Sequence, residues 1–427
     1  MKAIVDSTEH THIEYDDFNE DWLKKFNELY DEQNPKYLGL HQEFDSYEIK
    51  LKSHYYIGYR WLSEEANEYI HIAPKHYGVY QADYLKMFLV CLKDPIVNKH
   101  LDNTYKIFFN EKWIEIEDSK DEITPLLILQ FLQIVKNIST KGLKKGYIKV
   151  TENLTSKIKG KILVNQTIIQ NHFRNRLDKT VCNHQIYTID CIENQILKTA
   201  LLQCSRNLYG INNDDIAKLI KLNLNAFELV NSKEVCDNDF LKIQYSPFYK
   251  DYKEALKLAR MIFKRFGFSL KGTDNNEKYK IPPFYIDMPE LFERYVEVKL
   301  REKYKDDLVP GYSRKNGNSY RWGLRPDFIV QGKQLIIDAK YKYWFKQNDS
   351  DNKFKDDYQQ LSLYGRVTQI RNDIKLPENE EAKVLFIYPK MDGKKAIDDN
   401  FEKENDFSHI YKFGLKIPQK RQPNDPI

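Results

Sequence analysis

Apolar and polar residues alternate at period two in Tyr47-Glu48-Ile49-Lys50-Leu51 and in Tyr69-Ile70-His71-Ile72, which predicts short strands with one buried face. Lys106-Ile107-Phe108-Phe109 and Trp113-Ile114-Glu115-Ile116 flank Asn110-Glu111-Lys112 and predict a hairpin. One helix near Tyr84–Leu92 interrupts this β-like stretch. Farther along, the period lengthens. Pro125 through Ile138 predicts a strongly apolar helix. Ile192, Ile196, Leu197, Ala200 and Leu201 share one face of a helix over Asp190–Cys204, and Ala255, Leu258, Ala259, Ile262 and Phe266 share a face over Asp251–Phe266. The segment Val150–Val164 is left without an assignment. A polar connector, Lys271–Lys280, then runs into Ile281-Pro282-Pro283 and marks the clearest boundary in the chain. These patterns divide the chain into a β-rich stretch over 1–120, a mainly helical middle over 121–275 and a final stretch over 276–427. No repeat at solenoid periods is found.

The final stretch carries the chemistry. Arg325-Pro326-Asp327-Phe328-Ile329-Val330 and Lys333-Gln334-Leu335-Ile336-Ile337-Asp338-Ala339-Lys340-Tyr341 predict two apolar strands folded around Gln331-Gly332. Asp338 and Lys340 are two positions apart and leave the same face of their strand. Folding back brings Asp327 near the diagonal of Asp338, close enough to share a cation. Two carboxylates with a lysine beside them suit metal-dependent hydrolysis of a phosphodiester: hard oxygen ligands hold Mg²⁺, and the lysine positions water or stabilises the transition state. Asp-x-Lys alone is a weak signal, but charges at the end of a run as apolar as Leu335-Ile336-Ile337 are rare without a reason. Asp287-Met288-Pro289-Glu290 reads as a capping box opening a helix to about Lys303, with Glu293 one turn in. Asp357, Gln360 and Tyr364 share one face of a later helix running to about Ile370.

Composition changes this picture little. The 427 residues have 41% hydrophobic and 30% charged content and a formal charge of +4, which alone argues for no partner. The charge is segregated, however. Residues 1–35 hold three basic against ten acidic side chains, whereas residues 141–180 hold ten basic against two acidic. The basic stretch (Lys144, Lys145, Lys157, Lys159, Lys161, Arg174, Arg176) is a candidate for contact with DNA phosphates or a protein partner, set against a plain solvated face. No apolar run reaches membrane-spanning length, and the start lacks the apolar core of a secretory signal. Five scattered cysteines suit a reducing cytoplasm, and Cys182-Asn183-His184 with Cys191 lacks the second spaced pair of a zinc site.

Pro326-Asp327, Asp338-Ala339-Lys340 and Gln360-x-x-x-Tyr364 together resemble the PD-(D/E)xK nuclease signature with a QxxxY extension. More narrowly, Ile286–Val296 (IDMPELFERYV) and Ile336–Lys342 (IIDAKYK) resemble the McrC family, the endonuclease subunits of McrBC modification-dependent restriction systems. Gly142–Leu154, Lys159–Ile162 and Glu193–Leu201 resemble the family's segment before the nuclease, so the likeness spans roughly residues 140–370. One departure is Tyr358-Gln359-Gln360, where the family has a single glutamine after the tyrosine; the spacing to Tyr364 favours Gln360. The resemblance implies an α/β (α+β) multidomain protein with a C-terminal restriction-endonuclease-like domain. It implies a DNA endonuclease of a restriction and anti-phage defence system, using Mg²⁺ or Mn²⁺ on Asp327 and Asp338. Glu293 would be a further ligand or a base, Lys340 would assist water attack, and Gln360 and Tyr364 would orient the site. It also implies activation by a hexameric AAA+ GTPase, McrB, docking against the N-terminal region. The sequence has no GxxxxGK[ST] motif, so the expectation is that this chain binds no nucleotide and its motor is a separate protein. Two other readings stand beside this one: a non-catalytic activator of an NTPase ring, and a stand-alone or RNA-cutting nuclease of the same fold.

Overall fold

A computed structural model describes residues 2–8, 12–13, 40–45, 48–63, 65, 67–77, 80–108, 111–116, 123–206, 214–243, 247–266, 279–311, 324–342, 355–377, 380–404 and 407–421. Most of the acidic leader, Tyr47, Phe109 and Asn110 of the expected strands, and the connector up to residue 278 lie outside the described residues. The chain is a mixed α/β protein that divides into two compact units. One is formed by residues 1–116 together with 280–427, and the other by 117–279. The first and last stretches of the sequence are thus parts of one body.

Within that body a five-stranded sheet has the order Lys2–Thr8, Glu68–Ala73, Tyr56–Ser63, Phe284–Asp287, Tyr105–Ile107. Phe284–Asp287 is antiparallel to both neighbours, with Phe284 facing Tyr59 on one side and Ile107 on the other. The hairpin expected across residues 106–116 therefore does not form. Both strands exist, but Tyr105–Ile107 pairs with Phe284–Asp287, and Ile114–Ile116 belongs to a different sheet. A buried, fully bracketed partner strand outcompetes a local turn.

Gly58 makes this junction possible. Its φ of +134° is closed to L side chains, and an added Cβ would lie 2.3 Å from the Phe284 carbonyl oxygen. Gly58→Ala is expected to destabilise the protein by about 2 kcal/mol or more, read as a fall in thermal midpoint.

The strand Phe284–Asp287 leads without a loop into the helix Met288–Tyr304. Asp287 caps it, accepting a hydrogen bond from Glu290 N at 3.1 Å, and Pro289 occupies the first turn, where no intrahelical N–H is needed. The expected reciprocal half of the capping box is replaced. The Asp287 amide donates to Thr104 O at 2.7 Å, and Glu290 accepts from Arg294 Nε instead.

A six-stranded mixed sheet follows, in the order Leu308–Pro310, Phe328–Val330, Leu335–Ala339, Lys383–Lys394, Ile410–Leu415, Glu402–Lys403. The first three strands are antiparallel. Leu335–Ala339, Lys383–Lys394 and Ile410–Leu415 run parallel, and the apolar runs Leu335–Ile337 and Val384–Tyr388 are buried at the centre of the sheet. Ile329, Ile336, Val384 and Phe386 pack with Leu361, Tyr364 and Ile370 of two short helices, Lys355–Tyr364 and Thr368–Asp373. The single helix expected to reach Ile370 breaks in between, around Gly365.

The second unit holds the long helices Ile123–Lys141, Ile192–Arg206, Asp214–Ala226 and Lys250–Phe266. The basic stretch, however, runs through β structure as well as the short helix Val164–Gln170. Gly146–Thr155 pairs antiparallel with Lys179–Thr188 from Gly146↔Thr188 to Thr155↔Lys179, and Lys161–Ile162 adds a third strand on the other side. Among the described residues, no helix is long and apolar enough to cross a membrane.

Candidate active site

The antiparallel register of the hairpin aligns Phe328 with Ile337. Continued by one position, it sets Asp327 directly opposite Asp338, rather than on the diagonal the sequence suggested. Pro326 has no amide hydrogen to extend the ladder, and Asp327 closes it with its side chain: Oδ2 accepts from Ala339 N at 2.7 Å. Asp338 itself is 1% exposed, because the apolar run before it places it in a central strand beside Phe386.

Lys340 Nζ lies 2.8 Å from Asp338 Oδ2 as an ion pair and donates to Gln360 Oε1 at 3.0 Å. The Tyr364 hydroxyl lies 3.1 Å from Asp338 Oδ1 and 3.1 Å from Arg325 O, so its one proton is shared between two acceptors. One turn earlier, Asp357 Oδ2 accepts from Lys342 Nζ at 2.6 Å. Of the two adjacent glutamines, Gln360 is the one brought to Lys340, whereas Gln359 is exposed.

Glu293 enters from the helix Met288–Tyr304, paired with the Arg294 guanidinium. That guanidinium also reaches Glu290 at 3.1 Å and Glu297 at 2.7 Å, and Glu297 accepts from Arg301 at 2.8 Å. Arg294 and Glu297 are buried, and sequence reading assigned them no role. The available signal was the spacing Glu290-x-x-Glu293-Arg294-x-x-Glu297, which puts three carboxylates within reach of one guanidinium.

The electrostatics are those of anions gathered away from water. Burial, then the charges of Asp338 and Glu293, hold the Asp327 carboxyl well above the usual carboxylate range. Burial raises Asp338 too, with Lys340 and the Tyr364 hydroxyl opposing. Burial pushes Glu293 up to about 7, against the pull of Arg294. Burial works to lower the Lys340 pKa, but the charges of Asp338 and Asp327 outweigh it and the ammonium is held more firmly than usual.

These residues fit a hard divalent cation. Asp338 Oδ2 is buried and, apart from the Lys340 ammonium 2.8 Å away, has no hydrogen-bond partner among the described residues, so one of its lone pairs is open to a cation. The donors on offer are carboxylate oxygens, the ligands that Mg²⁺ and Mn²⁺ favour. Among the described residues no group of three or more His, Cys, Asp or Glu forms a ready ligand cage. Two carboxylates would fill only part of a cation's shell, which suits an ion that keeps several waters, as Mg²⁺ does.

The basic candidates lie elsewhere, in the second unit. Lys145, Lys157, Lys159, Lys161, Arg174 and Arg176 are exposed on or beside the three-stranded sheet. Lys144 is different. Its Nζ pairs with Glu193 Oε1 at 2.5 Å in a largely enclosed contact that ties the sheet's lead-in to the helix Ile192–Arg206. Cys182 and Cys191 are buried free thiols.

Comparison with known proteins adds the following. Residues 51–389 match the family model described as McrBC 5-methylcytosine restriction system component. No curated protein matches the chain in sequence. Among solved structures, a half-complex of Thermococcus gammatolerans McrB AAA+ hexamers with bound McrC aligns at 17% identity and a TM-score of 0.40, covering 97% of this chain and 94% of that one. A cryo-EM structure of the Thermococcus gammatolerans McrBC complex aligns at 17% identity and a TM-score of 0.31, covering 70% of this chain and 87% of that one.

Proposed function

Because the chain belongs to the McrBC 5-methylcytosine restriction system component family, we propose that it is the DNA-cutting component of such a system, a Mg²⁺-dependent endonuclease with a PD-(D/E)xK site. The observation that carries this reading is the placement of the half-buried Asp327 opposite the buried Asp338 at the end of one ladder, with Lys340 beside Asp338 on the second strand.

Asp327 and Asp338 would hold the ion, Mg²⁺ or Mn²⁺. When bound, it supplies a water acidified toward neutrality and compensation for charge growing on the phosphate oxygens. The remaining work falls to this chain's side chains. Tyr364 donates to Asp338 Oδ1 and fixes the rotamer of that carboxylate, leaving Oδ2 turned to the site. Asp338 and Gln360 engage two of the three donors of the Lys340 ammonium, which leaves the third to reach the attacking water or a non-bridging phosphate oxygen. Glu293, with a pKa of about 7, is suited to take a proton near neutral pH, and Arg294 fixes its Oε1. The enclosed carboxylates repel one another until a cation arrives, which favours binding of the ion over an empty, fully ionised site.

Lys145, Lys157, Lys159, Lys161, Arg174 and Arg176 are proposed as contacts to DNA phosphates, and Lys144 is left out of that set because of its pairing with Glu193. An AAA+ GTPase of the McrB type is proposed as the partner that supplies the motor.

The test is a substrate panel of DNA with modified cytosine, unmodified DNA and RNA, each with and without the GTPase partner and GTP. Cutting of modified DNA only in the full mixture supports the proposal. Stimulation of the GTPase with no cutting of any nucleic acid supports a non-catalytic activator instead, and cutting of RNA or of DNA without the partner supports a stand-alone nuclease.

A further inference from the structure

The helix face and the strand end that build the site meet rung by rung. Tyr364 reaches Asp338 at 3.1 Å, Gln360 reaches Lys340 at 3.0 Å, and Asp357 reaches Lys342 at 2.6 Å. The first two rungs belong to the proposed chemistry. The third has no part in it, yet it is as firmly built. Lys342 N donates to Lys340 O at 2.7 Å, a tight three-residue turn where the strand ends. Tyr341, between the two lysines, is buried with its ring 5.8 Å from that of Phe292 on the site helix and 5.9 Å from that of Tyr55. Backbone turn, buried aromatic and ion pair together fix where the second ammonium stands.

The rung is also graded in exposure. The Asp357 side chain is 11% exposed, whereas that of Lys342 is 34% exposed. The carboxylate is enclosed and the ammonium faces outward. An ammonium carries three donors, so Lys342 can keep Asp357 and still offer protons to an anion from solvent. An ion pair between two surface groups would do no more than solvate a surface. An enclosed anion that steadies an accessible cation, one rung from a proposed phosphodiester site, has a use.

We propose that Lys342, steadied by Asp357, binds a backbone phosphate of the DNA next to the one being cut. This rests on the endonuclease reading above and assigns a substrate-binding residue within it. Lys340 serves the scissile phosphate and Lys342 its neighbour, so the two lysines set the register of the strand over Asp327 and Asp338. Lys342 takes no part in proton transfer, and its removal weakens binding while leaving the chemical step intact.

The experiment compares wild type, Lys342→Ala and Lys342→Arg in the full mixture with GTPase partner, GTP, Mg²⁺ and DNA carrying modified cytosine, across a range of salt. For Lys342→Ala the expected result is a KM for DNA raised about tenfold, kcat within about twofold, and a log-affinity against log-salt slope shallower by roughly one phosphate contact. Lys342→Arg restores most of the KM, because a guanidinium also pairs with a phosphate. Thermal midpoints separate this from a structural role: that of Lys342→Ala is expected to fall modestly, because Asp357 loses its ion-pair partner, while the protein stays folded at the assay temperature, and that of Lys342→Arg is expected to match wild type. An unchanged KM and salt slope in Lys342→Ala, a loss confined to kcat, or a fall in thermal midpoint that accounts for the loss overturns the assignment while wild-type cutting stands. Absence of cutting by the wild type overturns the endonuclease reading itself, and this assignment with it.

Discussion

Arg294→Met is expected to lower the thermal midpoint by on the order of 10 °C, the largest stability effect of any single substitution at the site. Arg294 is buried on the helix Met288–Tyr304, and its guanidinium reaches Glu290, Glu293 and Glu297. Methionine fills the volume but leaves three carboxylates facing one another, and Glu297 is fully buried beside Arg301. Breaking a buried ion pair by removing one partner costs roughly 3–5 kcal/mol, because the other charge stays behind uncompensated. Removing a second charge should return part of the loss. The double variant Arg294→Met with Glu297→Gln is therefore expected to melt above Arg294→Met alone, a coupling that a thermal double-mutant cycle reads directly. A single variant that melts within a degree or two of wild type would mean the three glutamates do not depend on this arginine.

Asp338→Asn is expected to separate stability from activity. The amide keeps the shape of the carboxylate and still offers an oxygen to Tyr364, so the strand and helix stay in place. What goes is the negative charge that would hold the ion and pair with Lys340. Cleavage is expected to fall by about a thousandfold or more. Stability should move the other way. Burial raises the Asp338 pKa in the folded state, so the native protein binds more protons than the unfolded chain. The resulting stability is present below the unfolded carboxylate pKa and is lost as pH rises through the folded one. Asparagine cannot ionise and escapes that loss. Without added divalent cation, the variant is expected to lose less stability than wild type as pH rises above the ordinary carboxylate range. An Asp338→Asn protein that cuts DNA at the wild-type rate, or that gains nothing at high pH, would contradict this account of the site.

How much of this was legible in the sequence depends on how local the cause is. Asp338 and Lys340 were readable because a continuous apolar run, Leu335-Ile336-Ile337, ends in charges. Asp287 was readable as a helix cap because its partner is only three residues away. The pairing of Phe284–Asp287 with Tyr56–Ser63 was not, since strands brought together from opposite ends of a chain leave no mark at either end. The same pairing undid the expected hairpin at residues 106–116: the local turn signal was real, but Tyr105–Ile107 had a better partner that no window could contain. The basic stretch failed differently. Its lysines and arginines were read as a surface with no structure assigned, and the ladder from Gly146 to Thr188 went unseen because few of its positions are deeply buried, so no apolar alternation announces it. Lys144 was grouped with its neighbours by charge alone, and only Glu193, far along the sequence, sets it apart.

The central claim is that two facing aspartates, with Lys340, form a divalent-cation site that cuts DNA. Its most direct test is the cleavage of DNA carrying 5-methylcytosine by this chain with the proposed GTPase partner, GTP and Mg²⁺, run beside Asp327→Asn and beside the wild type with the cation chelated. The account predicts cut DNA with the wild type alone, and intact DNA in both other arms while Asp327→Asn still stimulates the partner's GTP hydrolysis. Cutting by Asp327→Asn at the wild-type rate, or undiminished cutting after chelation, would contradict it.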